Sequence, residues 1–203
     1  MSETTSGFCV WITGLLFSGK KALAAQLQSR LQAIDLSSEV LEGGQLRRRF
    51  EDRLGFTREQ VDHNLRRICF EAELLVDAGE VAIVAAISPF RDQRAACRAR
   101  IDRFIEVYCR CPLDVLEQRD TIGFYAQARA GELENVAGVS FPYEEPAAAE
   151  VVHDTDRETP LQGAQRVLAV AEAHGFIQPA TRSILTVPEE EALRRRLRDS
   201  WSR

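Results

Sequence analysis

No apolar run in this chain is long enough to span a membrane; the longest, Val81 to Ile87, is the length of a strand. The first residues, MSETTSGF, have neither a basic stretch nor an apolar core, so no secretory signal is expected there. An even set of cysteines is also missing. Cys9, Cys69, Cys97, Cys109 and Cys111 are five, mostly in apolar stretches, which argues against a disulfide framework and for buried thiols in a reducing cytoplasm. Cys109 and Cys111 lack a second ligand pair for zinc, and strand alternation would put both on one packing face. Nor is there a compositional bias: 45% hydrophobic and 28% charged residues exclude disordered and fibrous classes. At 203 residues the chain suits one domain with a good core and short appendages.

An overall basic balance is absent too, since the formal net charge is −5. Arg47, Arg48, Arg49, Arg53, Arg58, Arg66 and Arg67 do form a basic stretch. Acidic residues interleave it and no aromatic stacking platform accompanies it, so a nucleic-acid surface is not expected. Arginines converging on a phosphorylated or sulfated small molecule fit better, because the guanidinium fork binds such oxyanions in pairs of hydrogen bonds. Arg48, Arg53 and Arg58 are read as a solvated helix face.

What is present alternates between strands and helices. FCVWITGL reads as a buried strand, and Ser18 to Ile34 places Leu23, Leu27, Leu31 and Ile34 at helical spacing. SSEVLEG is a short second strand. Glu59 to Ala78 is a helix with Val61, Leu65, Ile68 and Leu75 on one side, closed by Gly79. VAIVAAIS is a strand buried on both faces. Pro89 to Asp102 is a helix with Pro89 in its first turn. RFIEVYCRC is a strand, Pro112 to Arg119 a short helix, VVHDT an edge strand, and Leu161 to His174 a last helix before Gly175. Repeated strand–helix units predict a parallel sheet flanked by helices, with ligands at the carboxyl ends of the strands. Residues 1–178 form this domain. Within it, the glycine- and proline-punctuated segment 120–146 reads as a lid. Residues 179–203 read as a linker and a charged helix that complements its own dipole.

Between the first strand and first helix lies Gly14-x-x-x-x-Gly19-Lys20, a phosphate-binding loop. Its glycines let backbone N–H groups cradle an oxyanion, the helix amino terminus adds a positive dipole, and Lys20 would reach the terminal phosphates. The next residue departs from the pattern. A Ser or Thr there supplies a hydroxyl to the nucleotide's Mg²⁺, but this chain has Lys21. A carboxylate on a neighbouring strand is the other usual metal contributor. VAIVAAIS offers none, and the second strand offers only Glu42, followed by Gly43 and Gly44.

Trp11-Ile12-Thr13-Gly14-Leu15, Leu54-Gly55-Phe56, Asn64-Leu65-Arg66-Arg67, Ile87-Ser88-Pro89-Phe90-Arg91, Phe104-Ile105-Glu106-Val107 and Ala128-Arg129-Ala130-Gly131-Glu132 together resemble the adenylyl-sulfate (APS) kinase family. Pro142-Tyr143-Glu144, Pro146 and Asp154-Thr155 fit as well, so the likeness runs from Phe8 to Phe176. It implies a P-loop kinase fold, ATP as phosphoryl donor with Mg²⁺, and phosphorylation of the 3′-hydroxyl of APS to give PAPS by a cytoplasmic, usually dimeric enzyme.

By the same resemblance, Gly14, Ser18, Gly19, Lys20, Lys21 and Arg119 fall at the nucleotide site. Arg47, Phe56, Asn64, Ile87, Ser88, Pro89, Phe90 and Arg91 fall at the APS site, Phe56 stacking on the adenine. Lys20, Glu42 and Arg129 are the candidate catalytic groups, Arg119 and Arg129 being lid arginines. The family's Asp-Gly-Asp-Asn is replaced by Glu42-Gly43-Gly44-Gln45, so the metal-linked second aspartate is gone. A family arginine is replaced by Val61, a lid lysine by Ile122, and a second adenine-stacking phenylalanine by Val136. No protein ligand for a metal is therefore assigned. Two readings of Lys21 stand open: an ammonium near the vacated Mg²⁺ position, or an outward helix residue. Three functions stand open as well: an APS kinase using Glu42, a non-catalytic module sensing APS, PAPS or ATP with a sulfate-activation partner, and a kinase for another sulfated or phosphorylated small molecule.

Overall fold

The computed structural model describes residues 7–49 and 56–178. The expected charged helix after Pro179, together with Arg53, Leu54 and Gly55, lies outside the described residues. The order is β1 (Phe8–Thr13), α1 (Lys20–Gln32), β2 (Ser38–Glu42), α2 (Gly43–Arg49), α3 (Arg58–Asp77), β3 (Val81–Ala85), α4 (Arg91–Arg98), β4 (Phe104–Arg110), α5 (Leu113–Arg119), α6 (Phe124–Arg129), β5 (Val151–Asp154) and α7 (Pro160–Ala173). The strands form one five-stranded sheet in the order β2-β3-β1-β4-β5, every pairing parallel. β1 is central, with β3 and β4 on either side, so the loop leaving β1 opens at the point where the strand order reverses.

Both faces of the sheet are covered, and β1 and β3, apolar but for Thr13, are buried at every position. Val10 and Ile12 face one way and meet Leu23, Leu27 and Leu31 of α1 with Val167 and Leu168 of α7. Cys9 and Trp11 face the other way, among Leu65, Ile68 and Ala72 of α3 and Cys97 of α4. Packing on the two faces buries Cys9 and Cys109 from the sheet and Cys69 and Cys97 from the helices; all five cysteines are free thiols, and only Cys111, one residue beyond β4, is partly exposed. Cys109 belongs to the core under α1, whereas Cys111 packs with the 120–146 segment.

Capping sets the helix starts. Thr57 and Gln60 form a capping box on α3, and Thr159 and Gln162 one on α7, where Pro160 takes the first turn. Two expected elements are corrected in their bounds. The helix predicted from Pro89 to Asp102 runs only over α4, because Phe90 is extended and serves as its N-cap. The preceding strand also stops early, at Ala85 rather than Ser88. The reason is tertiary: Thr13 Oγ1 donates to the Ile87 carbonyl at 2.7 Å and pulls the chain out of the ladder. Two short helices, α2 and α6, have no counterpart in the periodicity. α6 sits inside the 120–146 segment, where Asp120 accepts hydrogen bonds from the Ile122 and Tyr125 amides.

α7 approaches α1 and β5 closely at Gly163. A Cβ there would lie 2.9 Å from Leu23 Cδ1 and 3.0 Å from the ring of His153, both fully enclosed side chains. Helix propensity alone makes Gly163→Ala stabilising by about 1 kcal/mol. Overpacking opposes it, so the variant is expected to be destabilised by about 1–3 kcal/mol in urea denaturation. A gain in stability would mean that the helix does not sit this close.

Candidate functional site

At the carboxyl end of β1 the chain turns at Gly14, whose backbone is pressed against β4. A side chain there would meet the Cys109 carbonyl and Ser18 Oγ, each at 2.6 Å, so only glycine fits. The loop then passes through Phe17, held at φ 61°, and Gly19, held at φ 80°. A phenylalanine in that conformation is strained. Neighbours hold it: the Phe17 ring lies 6.1 Å from that of Tyr125, whose hydroxyl donates to the Leu16 carbonyl at 2.9 Å. The 120–146 segment thus packs on the loop, with Val136 and Tyr125 buried beside Leu15, Leu16 and Phe17.

Lys20 opens α1 and folds back over the loop. Its Nζ donates to the carbonyls of Gly14 at 2.9 Å and Leu15 at 2.5 Å, and to Ser18 Oγ at 3.3 Å. Positive charge accumulates here. The helix amino terminus contributes its dipole, the first turn holds no acidic residue, and Lys21 follows directly. Burial pushes the Lys20 ammonium down to about 8, and the neighbouring Lys21 charge acts in the same direction.

Glu42 ends β2, level with Ala85 of β3 and Ile12 of β1 across the sheet. Its Oε2 lies 2.5 Å from Lys21 Nζ; the lysine side chain is 70% exposed and the carboxylate 19%. Two residues on, Gly44 needs no glycine backbone. A Cβ there meets only Arg48 Nη1, at 3.7 Å, and otherwise open space. Gly43 between them is tight, 3.1 Å from Ala86 Cβ, and its carbonyl accepts from Asn64 Nδ2 at 3.4 Å. Among the described residues no group of three or more His, Cys, Asp or Glu could hold a metal ion.

The other candidate residues divide by what holds them. Arg47 lies over the Phe56 ring, its guanidinium carbon 3.5 Å from the centroid. Ser88, at φ 40°, accepts from the Trp11 indole at 3.0 Å through its hydroxyl and from Arg94 Nη1 at 2.6 Å through its carbonyl. Phe90 is buried against Phe141, with Arg58 stacked 4.0 Å above its ring. Arg58 therefore packs on Phe90 and pairs with Asp92 at 2.6 Å, more than a solvated helix face requires. In the 87–91 run, Ser88, Pro89 and Phe90 are buried, Ile87 is partly exposed and Arg91 is exposed, its Nε donating to the Glu145 carbonyl at 2.6 Å. Arg119 donates to the Thr155 carbonyl at 2.6 Å, and Thr155 lies beside Gly19, which brings Arg119 to the loop. Arg129 turns to Glu117 instead, at 2.5 Å, and stays 57% exposed.

Four residues of this arrangement are not among the candidates from sequence. Trp11 and Thr13 fix the 87–88 backbone, Tyr143 hydrogen-bonds Thr13 at 3.0 Å, and Arg94 is a buried cation between Glu106 and the carbonyls of Ser88 and Glu144. A polar Thr13 closing an apolar strand was the visible signal. Arg94 gave none, since a lone arginine in a helix reads as surface.

A sequence profile of the adenylylsulphate kinase family matches residues 6–154. An adenylyl-sulfate kinase from a Synechococcus species is 41% identical over 172 residues, covering 85% of this chain and 98% of that one. The chain belongs to the adenylyl-sulfate kinase family. A probable bifunctional SAT/APS kinase 2 from Sorangium cellulosum is 44% identical over 85% of this chain, which spans only 30% of that longer relative. The solved Mycobacterium tuberculosis APS kinase CysC, in complex with AMPPNP and APS, superposes with a TM-score of 0.77 at 38% identity, over 82% of this chain and 98% of that one. The fold is that of the P-loop kinases, and the family uses ATP as phosphoryl donor.

In this member of the family, the lowering of Lys20 to about 8 has a testable consequence. Phosphate oxygens at Lys20 would hold it charged, so nucleotide binding takes up a proton above that pH. Affinity is expected to be flat below about pH 8 and to fall by up to about tenfold per pH unit above it, as read by calorimetry in buffers of different ionisation enthalpy. Stability of the protein without nucleotide is expected to slope the opposite way. Folded Lys20 titrates below the ordinary lysine value, the unfolded chain binds more protons in between, and stability rises from about pH 8 to 10. An affinity profile flat to pH 9.5 would place Lys20 away from the phosphates.

Proposed function

We propose that this chain binds the nucleotides of its family, ATP and adenylyl sulfate, and that its 3′-phosphorylation of adenylyl sulfate to PAPS is severely slowed. Gly14, Ser18, Gly19, Lys20 and Arg119 take the ATP phosphates; Arg47, Phe56, Asn64 and the Ile87–Arg91 run take adenylyl sulfate. The single observation that carries the reading is the Lys21–Glu42 ion pair beside a bare Gly44.

Mg²⁺ requires several oxygen ligands in near-octahedral geometry at about 2.0–2.1 Å, and a P-loop supplies one from the hydroxyl after its lysine. A protonated Lys21 has no lone pair to offer, its ammonium takes up the Glu42 carboxylate, and Gly44 has no side chain. These residues do not fit a metal held by the protein. A metal in phosphoryl transfer supplies several kcal/mol of transition-state stabilisation. With about 1.4 kcal/mol per factor of ten, the loss corresponds to a slowing on the order of a hundred- to ten-thousandfold. Glu42 is also poorly suited to accept the substrate proton while an ammonium neutralises it.

A second reading, a catalytically inactive module sensing APS, PAPS or ATP, draws on Val136. Where the family stacks a second phenylalanine on adenine, this chain has a valine only 5% exposed, packed into the core beneath the loop. Under either reading the protein acts in the cytoplasm as a homodimer, a state for which the exposed Phe70 and Leu74, one turn apart on α3, supply apolar surface.

The test is a coupled assay of PAPS formation on the wild type and on Lys21→Ser with Gly44→Asp. Gly44→Asp has room, and Lys21→Ser frees Glu42. The double variant is expected to exceed the wild type by about a hundredfold or more. A wild type already turning over at about 1–100 s⁻¹, the ordinary kinase range, would refute the reading.

A further inference from the structure

We infer that Lys21 is an internal cation standing in for the divalent metal, so that the site takes a nucleoside triphosphate in its metal-free form. This rests on the reading that the loop binds nucleotide, and it concerns which ionic form is bound rather than whether transfer occurs.

Where the family's Asp-Gly-Asp-Asn carries two carboxylates, this chain keeps one, at Glu42, and Gly44 contributes none, while the residue after the loop lysine gains a positive charge at Lys21. The Lys21 ammonium faces the Glu42 carboxylate, and the pair sums to zero. Two carboxylates set against a triphosphate with no cation between them would repel it. Loss of one at Gly44, together with gain of a positive charge at Lys21, avoids that repulsion.

Geometry makes the lysine available. Lys21 lies in the first turn of α1, next to the loop lysine and at the positive end of the helix dipole, where a cation is disfavoured unless an anion meets it. In the free protein that anion is Glu42, which has one methylene more than the family's aspartate and reaches Nζ at 2.5 Å. The lysine end is largely in solvent, and exposed ion pairs of this kind are weak. A triphosphate in the loop offers several oxygens and more charge, so the ammonium can move from Glu42 to the phosphates at little cost. Its three N–H donors suit bridging between adjacent phosphates. Mg²⁺ already bound to the nucleotide would bring a dication up against this ammonium, so metal is expected to weaken binding rather than promote it.

The experiment is calorimetric titration of the full chain with ATP, once in EDTA and once in excess Mg²⁺. Wild type is expected to bind ATP in EDTA at least as tightly as in Mg²⁺. Lys21→Ser is expected to lose about ten- to a hundredfold of the EDTA affinity, as befits removal of a charge-assisted contact, and to bind better with Mg²⁺ than without. Wild-type binding that is tenfold or more weaker in EDTA overturns the inference, as does an EDTA affinity unchanged in Lys21→Ser. Thermal melting checks that the variant folds; should it not, the wild-type comparison still decides. The outcome is separable from the functional reading. Ordinary PAPS turnover with metal-independent binding sinks the slow-kinase reading alone, whereas no turnover with strictly metal-dependent binding sinks the internal cation alone.

Discussion

The site is organised around unbalanced positive charge at the amino end of α1. A helix dipole, a buried Lys20 and an adjacent Lys21 converge where the first turn offers no acidic residue. Backbone carbonyls of Gly14 and Leu15 accept from one ammonium, and Glu42, from two strands away, meets the other. Glu42 balances Lys21, so the charge left over is that of Lys20 and the helix amino terminus. Burial is the main cause of the depressed Lys20 titration, and the neighbouring Lys21 charge adds to it.

A second constraint holds the 87–88 segment and includes a buried ion pair, Arg94 with Glu106. The 87–88 backbone leaves the sheet under tension from Thr13 and is fastened by Trp11 and by the buried Arg94, which also holds Glu144 and Glu106. Ser88 keeps its left-handed conformation because three partners determine it.

Much of this was legible in the residues. Buried strands at Phe8–Thr13 and Val81–Ala85, the helix carrying Leu23, Leu27 and Leu31, and the parallel layering all follow from period and apolarity. The phosphate loop followed from spacing. The start of α4 did not, because Pro89 looks like a first-turn proline until Phe90 is seen extended. Helix α2 was hidden by Gly43 and Gly44, two residues that argue against a helix on propensity. Arg94 was invisible because burial of a guanidinium depends on carbonyls and a carboxylate contributed by distant segments.

The sequence by itself determined the fold class, the position of the loop and the loss of a hydroxyl and a carboxylate, since these are properties of residue type at fixed spacing. Only the tertiary structure decided that Lys21 meets Glu42. Lys21 and Glu42 are separated by a helix and a connection, and nothing in linear order says whether Lys21 faces outward or inward. The parallel register sets the end of β2 level with that of β1, and α1 crosses between them, so an ammonium and a carboxylate come within 2.5 Å. Through-space Coulomb attraction, which has no signature in sequence, turned two separate departures into one site.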